Sequence, residues 1–188
     1  MFLADGFEDI EALGTRDILD RGGIEVITVS ITDETEVTSA HGLTVLADTT
    51  LSEVLVDGNS AADSNDIMIF PGGMPGSKNL GDCRELTAAM NEHYAQGGSV
   101  AAICAAPKFV LGQLDGIQNA TFTCYDGCED ELVALGARFV KKPAVSCGRI
   151  ITGRGPGHAI DFAIEILRML RGEAVARSVA SGAILPCE

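Results

Sequence analysis

The sequence predicts an α/β doubly wound domain, a mostly parallel sheet with helices on both faces. Three observations predict it. The chain opens with strand, helix and strand in succession, and a β-α-β unit requires a parallel sheet. Two apolar runs, Asp66-Ile67-Met68-Ile69-Phe70 and Ser99-Val100-Ala101-Ala102-Ile103, are too short for typical helices and fit buried strands. Amphipathic helical stretches alternate with these runs along the chain.

In order, residues 1–4 read as the end of a buried strand and Asp5-Gly6 as a turn. Residues 8–21 read as a helix with Ile10, Leu13, Ile18 and Leu19 on one face, ended by Gly22-Gly23. β-branched residues predict a strand over 24–31. A hairpin around Ala40-His41-Gly42 is expected over 35–47, a short helix over 50–54 and a polar surface loop over 61–65. After Phe70, the run Pro71-Gly72-Gly73-Met74-Pro75-Gly76 permits tight turning and close backbone approach. A helix follows over 84–95, closed by Gly97-Gly98. The second apolar run stops at Cys104, and Pro107 suits the first turn of a helix to 114. Then come a strand over 120–123, a helix over 130–135, an extended stretch over 138–140 and a hairpin over 144–152 turning near Gly148. The loop Arg154-Gly155-Pro156-Gly157 leads into an amphipathic helix over 159–170. The expected organisation is one domain over 1–172 and a helical or loose tail over 173–188.

The 188 residues suffice for one well-buried domain. Thirteen Lys and Arg against 27 Asp and Glu give a net charge of −14, which disfavours nucleic-acid backbones and anionic membranes as partners. No run reaches the roughly 18 apolar residues of a membrane span, and no basic region precedes an apolar stretch as in a secretory signal. Six scattered cysteines, Cys83, Cys104, Cys124, Cys128, Cys147 and Cys187, predict reduced thiols and a cytoplasmic protein. Cys124-x-x-x-Cys128 lacks the further ligands of a zinc site. The 154–157 loop lacks the lysine and spacing of a P-loop. Neither a metal nor a nucleotide cofactor is expected.

Cys104 falls at a strand-to-helix turn, beside free backbone N–H groups at the carboxyl end of the sheet. That field lowers a thiol pKa and can hold an oxyanion; a buried core cysteine fits the same segment. Doubly wound sheets place their sites outside the carboxyl ends of the strands, so the loops at 5–11, 70–76 and 104–107 converge. A partner for the thiol is sought among Glu8, Asp9 and Glu11, each of which also complements a helix N-terminus. Gly72, Gly73 and the N–H of Ala105 offer oxyanion donors, although the glycines equally fit an ordinary turn. His41 sits at the hairpin tip, His93 in a polar helix where solvation is expected, and His158 at a helix start. They give no Cys-His-Asp triad. Tyr125 and Asp126 are candidate polar neighbours of the site.

Four segments occur in order: Ala4-Asp5-Gly6-Phe7-Glu8-Asp9-Ile10-Glu11, Phe70-Pro71-Gly72-Gly73, Ala101-Ala102-Ile103-Cys104-Ala105-Ala106-Pro107 and Thr152-Gly153-Arg154-Gly155-Pro156-Gly157. With them the chain resembles the ThiJ/PfpI superfamily, of class I glutamine amidotransferase-like fold, over residues 1 to about 172. The resemblance implies a flavodoxin-like homodimer with Cys104 reactive, Glu11 its carboxylic partner, and Gly72, Gly73 and Ala105 as backbone donors. It places His41 near the site and the dimer contact. Tyr125 stands where many members carry a histidine, which speaks against a peptidase. Members usually have several more residues in the first strand, so either a misassigned start or a shortened strand is expected. The implied function is a cysteine-dependent, cofactor-free enzyme acting on a small carbonyl substrate, of glutathione-independent glyoxalase or deglycase type. The alternative is a cysteine-oxidation sensor or stress chaperone. Nothing in the residues supports the thiazole chemistry in the ThiJ label.

Overall fold

The computed structural model describes residues 1–56 and 65–185. Of the loop expected over 61–65, only Asn65 is among them. The sheet layer follows from the parallel pairings of β1 (Phe2–Leu3) with β2 (Val29–Ser30) and of β2 with β5 (Thr49–Thr50). Beside β1 lies β6 (Ile67–Phe70), which pairs in parallel with β7 (Ser99–Ile103). On its other side β7 pairs in parallel with β11 (Ile150–Gly153), and β11 pairs antiparallel with β10 (Ala144–Cys147). The fold is α/β, flavodoxin-like and mostly parallel.

Alternating side chains of the central strands build two cores, because successive residues of a strand point to opposite faces. Met68, Phe70, Val100 and Ala102 join Leu80, Leu86, Met90 and Phe122 on one face. Ile69, Ala101 and Ile103 join Ile18, Leu19, Phe162, Ile166 and Leu167 on the other. The first face is covered by α3 (Gly76–Asp82), α4 (Arg84–Ala95), α5 (Ala106–Phe109) and α6 (Asp130–Ala134). The second is covered by α1 (Thr15–Arg21) and α7 (Ala159–Arg171). Residues of the expected tail form α8 (Glu173–Gly182), which packs on α7 and buries Ala176 and Val179. The hairpin β3 (Glu36–Thr38) and β4 (Thr44–Leu46) and the short α2 (Leu51–Val54) lie where expected, α2 with Thr50 and Glu53 forming a capping box. A small parallel pair joins β8 (Thr121–Phe122) to β9 (Arg138–Phe139).

Four expectations need correction. The helix over 8–21 opens as a π-helical turn, Ile10–Gly14, before α1, and its buried stripe is Glu11, Ala12, Thr15, Ile18 and Leu19. Residues 11, 12, 15, 18 and 19 repeat at helical spacing, so Ile10 and Leu13 project outward, 55% and 38% exposed. Hydrophobicity alone misplaces the face because its first position holds a carboxylate. The helix from Pro107 ends after α5 and resumes only as a 3-10 turn, Leu111–Gln113. The strand over 24–31 narrows to the two laddered residues of β2, and α3 was hidden by its glycines and the preceding proline. His93 is fully buried, with Nε2 3.0 Å from the Ser99 carbonyl and its ring against Gly98. The glycine leaves room for an imidazole that a polar-looking helix gives no reason to bury.

Candidate active site

Cys104 follows β7 directly and adopts φ +66°. A left-handed conformation in a residue with a Cβ costs of order 1–3 kcal/mol and persists only where neighbours enforce it. The Cys104 N–H donates to the Gly153 carbonyl at 3.0 Å, and the Cys104 carbonyl accepts from the Tyr125 N–H at 2.9 Å. The chain is thus clamped on both sides where the strand must turn into α5. The side chain leaves the sheet toward Gly72, and the residue is 8% exposed.

Glu11 reaches the same place from the opposite loop. It is fully buried, and Oε2 accepts the Gly72 N–H at 2.8 Å. Its own N–H donates to Glu8 Oε2 at 2.8 Å, so Glu8 caps the entering turn. Oε1 has no hydrogen-bond partner among the described residues, and the carboxyl as a whole interacts with the Cys104 thiol. Burial raises the Glu11 carboxyl from 4.5 to about 7; the Glu8 charge adds to this, while the Cys104 and Gly72 contacts oppose it. A carboxylic acid at this value is half protonated near neutrality.

The thiol is not lowered as its position at a turn predicts. Burial pushes it well above the ordinary thiol range, and the Glu11 charge pushes the same way; the N–H groups of Gly73 and Ala105 pull back. The four residues of α5 form too short a helix to supply much of a macrodipole. Thiol and carboxyl titrate as one pair. When Glu11 carries the proton it donates toward sulfur instead of repelling it, and the two amides favour the thiolate.

Glycines bring the loops this close. A Cβ on Gly72 would lie 2.3 Å from Glu11 Oε2 and 2.5 Å from the Cys104 Cβ. Gly73, at φ +91°, would place one 2.4 Å from the Gly6 carbonyl oxygen. The loops are also bonded, Glu8 N–H to Gly72 O at 3.0 Å and Gly76 N–H to Gly6 O at 3.2 Å. The turn at 71–76 therefore fixes the distance between carboxyl and thiol. Gly72 departs from the oxyanion-donor role expected of it. The Gly72 N–H is occupied by Glu11, so it holds the carboxyl and is not a free oxyanion donor. Gly73 and Ala105 are the amides facing sulfur.

The DJ-1/PfpI family model matches residues 1–169. The chain belongs to the DJ-1/PfpI family. It is 34% identical over 180 residues to Protein DJ-1 homolog A of Arabidopsis thaliana, covering 95% of this chain and 44% of that protein. The chain thus spans less than half the length of that relative. Glutathione-independent glyoxalase DJR-1.2 of Caenorhabditis elegans is 33% identical over 165 residues, 88% of this chain and 83% of that protein. The crystal structure of Drosophila melanogaster DJ-1beta superposes with a TM-score of 0.87 and 31% identity, covering 99% of this chain and 96% of that one. The family therefore includes a glyoxalase that works without glutathione.

Around this DJ-1/PfpI centre, His41 lies at the hairpin tip with Nδ1 2.5 Å from Asp9 Oδ2, an exposed imidazole on a half-buried carboxylate. Glu8, Asp9 and His41 are the one group of three metal-competent side chains among the described residues. They are exposed or half-buried and already engaged with one another and with the Glu11 N–H, which gives no ground for assigning an ion. Tyr125 is 53% exposed, its ring beside Gly155. Asp126 pairs with Arg154, a contact no local pattern announces because it joins residues far apart in sequence. Among the described residues no helix is long and apolar enough to cross a membrane.

Proposed function

We propose that the protein is a cofactor-free enzyme acting on small reactive carbonyls through Cys104 and Glu11. The observation carrying this is a fully buried carboxyl with a pKa near 7 beside a thiol that faces two free amides. A group that must take and return a proton works best near the operating pH. Glu11 as carboxylate takes the thiol proton, and sulfur adds to the aldehyde carbon of a 2-oxoaldehyde such as methylglyoxal. The N–H groups of Gly73 and Ala105 meet the oxyanion, and Glu11 returns the proton to it. Glu11 then removes the hydrogen from the former aldehyde carbon, giving an enediolate, and delivers it to the adjacent carbon. The result is a thioester of a 2-hydroxy acid. Water cleaves the C–S bond and frees acid and thiol, so aldehyde plus water gives 2-hydroxy acid with no external oxidant. Early carbonyl adducts on amines or thiols enter the same chemistry, which is the deglycase form of the reading.

Methylglyoxal loss with purified protein tests it. Cys104→Ala abolishes turnover, and Glu11→Gln lowers it by about 10²-fold or more. Equal rates in wild type and Cys104→Ala reject the assignment. A redox sensor is favoured by one feature: a sulfinate on Cys104 would find the Gly73 and Ala105 amides and a protonated Glu11 as donors. Intact mass after mild peroxide separates the readings, since a sensor gains oxygen at Cys104 without carbonyl turnover.

The reading includes a cytoplasmic homodimer. Exposed Ile10 and half-buried Ile160 flank Gly14, with exposed Leu13 on the same helix as Glu11. A second copy covering them would shield the site from water. Sedimentation of wild type and Ile10→Lys checks this; a monomeric wild type at micromolar concentration rejects it.

A further inference from the structure

Next to the segments that clamp the Cys104 backbone lies a cavity of ≈ 500 Å³, walled by Tyr125, Asp126, the 154–157 loop and His158. The mechanism above leaves it unused. Its walls are tied to the nucleophile by the two bonds that clamp Cys104. Gly153, whose carbonyl takes the Cys104 N–H, immediately precedes Arg154, and Tyr125 donates to the Cys104 carbonyl. Its volume falls in the range of small-molecule sites.

The charged lining is a single ion pair, Arg154 with Asp126, and Lys141 reaches the same carboxylate from outside the cavity. Arg154 meets Asp126 through one nitrogen, Nη2, at 2.9 Å to Oδ1 and 3.1 Å to Oδ2. Lys141 Nζ stands 3.5 Å from the same carboxylate, so two cations share one anion. Among the described residues, Arg154 Nε and Nη1 have no acceptor. The guanidinium is held in place by Asp126 and by the Arg154 N–H donating to the Pro143 carbonyl at 3.0 Å, and its side chain is 29% exposed. His158 is engaged by Asp161 at 2.9 Å. The Tyr125 ring forms an aromatic wall, close enough that a Cβ on Gly155 would stand 3.3 Å from it. A guanidinium with free donors and restricted motion is built to pair with a planar carboxylate, which it can meet bidentately.

We propose that this cavity is a carboxylate subsite anchored on Arg154, and that the preferred substrates are 2-oxoaldehydes, or their adducts, carrying a carboxylate a few bonds from the aldehyde. The substrate part rests on the carbonyl-enzyme reading; carboxylate binding beside Cys104 does not. The chain carries a net charge of −14, so the molecule as a whole repels anions. Any preference for one at Cys104 has a local origin.

Two reagents with the same electrophile separate the local effect from the global one: N-ethyliodoacetamide, and N-iodoacetylglycine, whose arm ends in a carboxylate. Alkylation of Cys104 in the full chain is followed by peptide mass, and each rate is scaled to that of free cysteine. The expected result is about tenfold preference for the carboxylated reagent, the equivalent of one charge-assisted hydrogen bond. Arg154→Gln removes most of that preference. Should Arg154→Gln fold poorly, competition on the wild type replaces it: glutarate slows the carboxylated reagent and spares the neutral one. A wild-type ratio at or below that of free cysteine overturns the subsite, as does a preference that survives Arg154→Gln or ignores glutarate. In turnover, kcat/KM for 4,5-dioxopentanoate exceeds that for methylglyoxal, and the ratio collapses in Arg154→Gln; a wild-type ratio at or below one overturns the substrate assignment. If the alkylation preference is present and neither aldehyde is consumed, the carbonyl-enzyme reading fails while the subsite stands.

Discussion

Replacing Glu11 by glutamine should remove a pH dependence of stability that the wild type carries. The carboxyl ionises at 4.5 in the open chain and at about 7 when folded, mainly because burial penalises its charge. At about 1.4 kcal/mol per pH unit the gap corresponds to about 3 kcal/mol. Below pH 4.5 both states hold the proton and the group contributes no difference. Between 4.5 and about 7 the unfolded chain releases the proton while the folded protein keeps it, so unfolding becomes easier as pH rises. Above about 7 both forms are ionised and the effect levels off. Glutamine has no proton to lose, and it can still accept the Gly72 N–H through its carbonyl oxygen. Urea unfolding of both proteins, followed by circular dichroism from pH 5 to 8, isolates the effect, since most other titrating groups cancel in the difference. Wild-type stability should fall relative to Glu11→Gln by up to about 3 kcal/mol across this window. A constant difference, or one of opposite sign, would show that Glu11 is not held as a buried acid, and the proton relay would lose its basis.

Other perturbations follow from the same geometry. Glu8→Gln removes a charge that raises the Glu11 carboxyl and should move its midpoint below about 7; carbon-13 NMR of the Glu11 carboxyl reads this, and an unmoved midpoint refutes the coupling. Gly72→Ala forces a Cβ to within 2.3 Å of Glu11 Oε2; turnover should fall by about 10²-fold, and wild-type turnover would mean the pair tolerates separation. Thr152→Val strips the buried Thr123 N–H of its acceptor at 2.9 Å and should cost about 1–3 kcal/mol in chemical unfolding, with no loss counting against that bond.

The buried strands at 67–70 and 99–103, the helix at 84–95 and the helix starting at 159 were legible in sequence because each is an apolar pattern bounded by glycine or proline. Cys104 was legible for a related reason: it interrupts an apolar run at a strand end. Glu11 was not readable from pattern alone. Its acid neighbours looked equivalent, and the apolar face drawn through Ile10 and Leu13 pointed the helix the wrong way; the resemblance singled it out. The buried His93 and the Arg154–Asp126 pair left no local trace.

The sequence by itself determined the layers of this DJ-1/PfpI protein, since periodicity and punctuation are local and survive in a linear chain. It also marked the turns where two loops could approach, because only glycine tolerates neighbours as close as those of Gly72 and Gly73. Tertiary structure alone decided the charge states at the centre. Burial pushed the Cys104 thiol up where its turn suggested the reverse, and raised Glu11 to the neutral range. A pKa depends on every group within a few ångströms and on how much water is excluded, and those neighbours are drawn from segments that only the fold brings together.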